Sequence, residues 1–197
     1  MTTPRSANPP PKIVSCDPIP GFSPQIGRYV AQLTETRQEL LRSTADLPPQ
    51  QLSWHPDEQT ESIGTQLLHV AAIEWSWIFE EIFQRPDTEY DGWEEALPLR
   101  LGLPQVRNKP LAYFTDRLDR VRRDVLDALK GLTDGDLARL VASPVPDGSP
   151  PPNEVFTIDW ILFHLVHHEA HHAGQVELLA RLLSPTGIAD RANPTVN

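Results

Sequence analysis

Five of the seven histidines in this 197-residue chain, His164, His167, His168, His171 and His172, fall within nine residues. The surrounding run, Asp159 to Leu183, has no proline and is rich in helix formers, so it reads as one helix. Residues four apart stack on one helical face. His164, His168 and His172 therefore form one row, and His167 and His171 a second row beside it. Imidazole is the commonest protein metal ligand near neutral pH, and two of them one turn apart can grip a single ion. Metal binding is the first chemistry this spacing suggests.

The rest of the helix indicates which histidines face inward. At about 100° per residue, Ile161, Leu165, Leu179, Leu182 and Leu183 share a stripe with His168, His172 and Gln175. His164 lies at its edge, whereas His167 and His171 are rotated roughly 70 to 110° from its centre. A bare imidazole among leucines needs a partner, and one metal ion satisfies His168 and His172 together.

A third ligand comes from the run Gln66 to Trp77, where His69 shares a helical face with Gln66, Ile73 and Trp77. Alone, His69 reads as a core or rim residue; beside an i, i+4 pair on another core-facing helix it becomes a ligand candidate. Three neutral imidazoles leave a fourth position open, as catalytic zinc sites do. Nickel, iron and cobalt accept the same donors. The expected cofactor is a divalent transition metal, zinc or nickel first. His164, Gln175 and Trp77 are candidates for the surrounding pocket. Glu169 reads either as a helix-surface acid or as a group that orients a ligand or a metal-bound water. His55 reads as a loop residue.

The elements that must position these residues are helical. One helix is expected at 24–43, with Pro24 suited to its first turn and Ile26, Val30, Leu33, Leu40 and Leu41 as its stripe. A second spans 62–83, capped by Ser62 or Thr60. A third spans 111–132, with a heptad from Leu111 through Phe114, Leu118 and Val125 to Leu132, and Gly131 at its end. The fourth starts near Thr157 or Asp159. A long connection fills 84–110, a short helical piece lies near 134–140, and a proline-rich loop fills 143–153. No segment shows strand alternation bounded by hairpin turns. The expected fold is all-α, an antiparallel four-helix bundle with long connections over 24–184. It is flanked by an irregular proline-rich tail at 1–23, touching the domain through Ile13 and Val14, and a C-terminal tail at 185–197. Bundles of this kind build metal sites in their cores from facing helices.

Composition narrows the function classes. Net charge is −10, from 27 acidic and 17 basic residues, which argues against nucleic acid as a partner. Arg117, Arg120, Arg122 and Arg123 alternate with aspartates and read as a solvated helix face. No apolar run approaches the roughly 20 residues of a membrane span, and no export signal is evident. The single cysteine, Cys16, leaves no intrachain disulfide and fits a reducing cytoplasm. His168-Glu169-Ala170-His171-His172 also matches the HExxH pattern of zinc peptidases. Its context disagrees, because position 175 is Gln175 rather than the glycine of the extended pattern.

Taken together, three stretches resemble the DinB-like, or YfiT-like, superfamily of metal-binding four-helix bundles. The first runs from Leu52 through Trp54-His55-Pro56 and Ser62-Ile63 to His69. The second is Thr157-Ile158-Asp159-Trp160, and the third is His168 to His172 followed by Ala173-Gly174-Gln175. Ala173 departs from the family's usual arginine. The resemblance implies His69, His168 and His172 as the metal triad. It also implies transfer of a low-molecular-weight thiol, such as bacillithiol, mycothiol or glutathione, to an electrophile. A non-enzymatic module that binds metal and ligand in a stress response is the alternative. Relatives are often dimers, so a homodimer is a further expectation, with an exposed Trp93 and its loop as the contact.

Overall fold

The computed structural model describes residues 15–143 and 154–183. Four long helices make the body: α1 (Pro24–Arg42), α3 (Ile63–Trp75), α6 (Leu111–Leu129) and α7 (Ile158–Leu182). Single-turn helices α2 (Pro49–Leu52), α4 (Trp93–Ala96) and α5 (Pro98–Leu101) lie in the connections. α1 packs along α7, α3 along α6, and α3 also touches α7. The expected all-α bundle is the observed fold, with one local addition. A two-residue antiparallel pair, β1 (Leu140–Val141) with β2 (Phe156–Thr157), pairs Leu140 with Thr157 where no strand was expected.

Local chemistry explains the helix ends. The Ser62 hydroxyl accepts from Thr65 N and caps α3, and the Thr157 hydroxyl accepts from Trp160 N and caps α7. Proline begins α1, where its missing N–H costs nothing. Asp134, in a short 3₁₀ turn 108 residues onward, accepts from Gln25 N and Ile26 N and serves the same helix end.

The second predicted helix is interrupted. After Trp75 the backbone widens into a π-helix over Ser76–Ile82, and Phe83 N bonds Ile78 O, five residues back. The connection at 84–110 is more structured than its turn residues suggested. α4 lies against α3 and buries Ala96. That cover accounts for α3 being apolar nearly all round, with Leu67, Leu68, Val70, Ala71 and Ala72 all buried. Trp93, expected to be exposed, is half-buried and donates through Nε1 to Asp87 O.

α3 and α6 approach closely at Gly64. A Cβ there would lie 2.6 Å from Phe114 Cζ, so the ring of Phe114 occupies the space a side chain would need. The chain preceding α1 crosses that helix at Gly27, whose carbonyl accepts from Ile19 N at 3.1 Å. The expected contacts of Ile13 and Val14, the proline-rich loop from Pro144 to Asn153 and the C-terminal tail lie outside the described residues. No described helix is long and apolar enough to cross a membrane.

Candidate metal centre

α3 and α7 bring His69, His168 and His172 together. One ligand atom from each lies within 4.8 Å of the other two. His69 Nε2 is 3.3 Å from His168 Nε2. Nitrogens held about 2.05 Å from a tetrahedral zinc lie about 3.3 Å apart, so this edge already has the spacing a metal imposes. His172 Nδ1 lies 3.2 Å from Gln66 Oε1. An amide oxygen can only accept, so it holds the proton on Nδ1 and leaves Nε2 with a free lone pair. Gln66 is buried on α3, one turn before His69.

The protonation state also suits ligation. Burial first, then the neighbouring imidazoles of His172 and His69, pushes His168 down to about 3. Burial and His69 push His172 down to about 4. Burial lowers His69 as well, opposed by the nearby Ala96 backbone of α4. Near neutral pH all three rings are uncharged in the metal-free protein, the form in which imidazole binds metal. Three neutral nitrogen donors on two rigid helices fit a borderline-soft divalent ion.

The row of rings extends along α7 beyond the triad. His164 lies 5.9 Å from His168 between ring centroids, stacks on Trp160 at 4.8 Å, and meets Trp77 at 4.9 Å. Trp77 belongs to the π-helical segment and also contacts Phe156 and Trp160 edge-on. Trp77 and His164 are thus part of an aromatic wall on the His168 side of the triad. His167 and His171 are exposed, as their rotation on α7 predicts. Gln175 is exposed and bonds His171 Nε2 at 2.9 Å. His55 sits in the loop before α3, its Nδ1 2.6 Å from Asp57 O.

The stripe drawn on α7 from sequence was off-centre. Leu182 is 60% exposed, whereas Leu162, Glu169, Val176 and Ala180 are buried. Glu169 is neither a surface acid nor a group aimed at a metal-bound water. Its carboxylate accepts from Arg37 Nε and from Arg122 Nη2, the latter at 2.7 Å. With both oxygens held by guanidinium groups, it is no general base, and the HExxH pattern loses its catalytic glutamate.

Arg122 likewise leaves the solvated face assigned to it. Arg37 on α1, Glu74 on α3, Arg122 on α6 and Glu169 on α7 form a closed ring of alternating charge in the core. Arg37 Nη2 bonds Glu74 Oε2 at 2.9 Å, and Arg122 Nε donates to Glu74 Oε1. Spare guanidinium N–H groups reach Leu118 O at 3.3 Å and Leu33 O at 2.9 Å. Burial opposes ionisation of Glu74, but Arg122 and Arg37 outweigh it and hold its carboxyl below the usual range. The ring had a sequence signal: Arg37 falls four residues after Leu33 and three before Leu40, in the middle of a core stripe.

Comparisons with known proteins agree with this architecture. An uncharacterized protein, YizA of Bacillus subtilis (strain 168), is 28% identical over 123 residues, covering 62% of this chain. The match spans 65% of that relative, less than two thirds of its length. A crystal structure of a conserved protein from Enterococcus faecalis superposes with a TM-score of 0.53 at 15% identity. It covers 78% of this chain and 94% of its own, and at that identity the likeness concerns the fold. The family model of the DinB superfamily matches residues 32–176, and the chain belongs to that superfamily.

Proposed function

We propose that the chain is a metal-dependent transferase that activates a low-molecular-weight thiol for attack on an electrophile. The observation that carries this reading is the triad itself: three imidazoles converge from two helices, and a divalent ion held by them would have a position left for an outside ligand. A free thiol has a pKa near 8.5 and is mostly protonated at pH 7. A divalent ion held by His69, His168 and His172 would supply the charge that keeps such a thiol deprotonated.

The chain's own residues set up the rest. Gln66 fixes the tautomer of His172. The ring wall of His164, Trp160 and Trp77 would give an electrophile flat aromatic surface on the His168 side. In the reaction the S–H proton goes to solvent, and the sulfur lone pair forms a bond to the electrophilic carbon. The carbon's leaving group departs with its bonding pair, so atoms and charge balance.

The test is metal analysis of purified protein, followed by incubation of the metal-loaded form with several thiols and a model electrophile. The expected result is bound zinc or nickel, lost on His168→Ala, and conjugation faster than with His69→Ala. Equal rates in the two proteins, with thiol still bound, would identify a binding module instead. Absence of any bound transition metal would overturn the metal reading.

A further inference from the structure

A cleft of about 430 Å³ is linked to the triad through Gln66, the partner of His172, and its lining says what it can hold. Gln66 is common to both, since it contacts His172 and lines the cleft. Gln59, Thr60, Glu61 and Gln175 add polar groups, and Leu179 contributes to an apolar wall. Among the described residues, no arginine or lysine lines it. Glu61 carries the one charge of the lining among the described residues; it is half-buried, and its carboxylate has no ion pair and no hydrogen bond there. Burial raises its pKa, the direction expected when no cation is near to oppose the loss of water.

The rim is built rather than loose. Gln105 Nε2 donates to Thr60 O at 3.0 Å, and its Oε1 accepts from Ser62 N at 2.7 Å. Gln66 Nε2 reaches Glu61 O at 3.4 Å. The segment carrying Glu61 is therefore fixed to α3 before any ligand arrives. An anionic ligand would find no counter-charge and would meet Glu61. A cationic one would give Glu61 its missing partner, and the amides would satisfy its hydrogen-bonding groups.

We propose that this cleft is the subsite for the body of the thiol, and that Glu61 selects thiols bearing an amino group over thiols bearing carboxylates. The inference rests on the thiol-transfer reading. It adds the charge class of the cosubstrate and the residue that reads it.

The experiment uses full-length cobalt-loaded protein and three matched probes, N-acetyl-cysteinyl amides extended by lysine, glutamine or glutamate. Thiolate binding is followed by its charge-transfer absorption on cobalt, and affinity by titration. The expected order is lysine over glutamine over glutamate probe, with about a tenfold span. Glu61→Gln should collapse the span, and Glu61→Lys should invert it. Removing an unpaired carboxylate should not lower the melting temperature, which separates loss of selection from loss of fold. Absorption with all three probes at equal affinity, or an order unchanged in Glu61→Gln, overturns the subsite and leaves thiol activation standing. Absorption with none of them overturns thiol activation, and the subsite with it.

Discussion

Arg122 Nη2 lies 2.7 Å from Glu169 Oε2 in the interior of the bundle, and Glu169 is the immediate neighbour of His168 on α7. The ring to which this pair belongs takes one residue from each long helix, so each helix is held in rotation and height by charges on two others. A buried ion pair is a poor source of stability against an apolar core of the same shape. Its strength is geometric, because the guanidinium forks accept few arrangements of carboxylate. Rotating α7 enough to disengage Glu169 would also swing His168 and His172 away from His69.

That geometry predicts unequal costs for single and paired substitutions. Glu169→Gln leaves the ring with an uncompensated positive charge and should destabilise the protein by about 3–5 kcal/mol. Arg122→Met with Glu169→Leu removes one charge of each sign and leaves Arg37 paired with Glu74. The double variant should lose less than the sum of the two singles, a coupling that urea unfolding in a double-mutant cycle measures. Additive losses would show that the ring does not act as a unit.

The sequence made the bundle legible because amphipathic period and proline breaks are local signals. α1, α6 and the start of α7 fall close to where those signals put them. The His168–His172 pair was legible for the same reason, since i, i+4 spacing on a helix is a local fact, whereas His69 joined it only by being set beside that pair and by the family resemblance. The ring was not. Glu169 and Arg122 each look like a surface charge beside acidic or basic neighbours, and only tertiary pairing with Arg37 and Glu74 makes their burial affordable. The π-helical turn after Trp75 was hidden too, because a widened turn leaves the apolar pattern of Trp75, Ile78, Phe79 and Ile82 nearly intact.

Gly64 offers a test of the α3–α6 contact. In an open helix, replacing glycine by alanine gains about 1 kcal/mol. Here the added methyl would overlap the buried ring of Phe114. Gly64→Ala should therefore destabilise by about 1–3 kcal/mol, as overpacked cores do. Gly64→Ala combined with Phe114→Leu should recover part of that loss. Thermal unfolding distinguishes the outcomes, and a raised melting temperature for the single variant would contradict the close approach.

The depressed histidines predict an acid-sensitive metal-free protein. His168 and His172 titrate near 3 and 4 when folded, against an ordinary 6.5. As pH falls through about 6.5 the unfolded chain takes up protons that the folded chain refuses, so stability declines from there toward the folded values. Above about pH 7.5 neither state binds these protons, and the full stability is present. The urea midpoint of metal-free protein should drop between about pH 7.5 and 5.5, a window above ordinary carboxylate titration. His168→Gln with His172→Gln should flatten that drop; an unchanged drop would assign it to other groups.

Gln66 should matter to metal affinity without being a ligand. Its amide oxygen faces His172 Nδ1 at 3.2 Å, which fixes the ring's tautomer and aims Nε2 at the shared centre. Losing such an orienting partner commonly costs about 10–100-fold in metal affinity. Gln66→Met keeps much of the volume but offers only a weakly accepting thioether in place of the amide oxygen. It should weaken zinc binding within that range in competition with a chromogenic chelator. Gln66→Glu, which still accepts, should bind zinc at least as well as the native protein. If Gln66→Met binds zinc with native affinity, His172 is oriented by its packing alone.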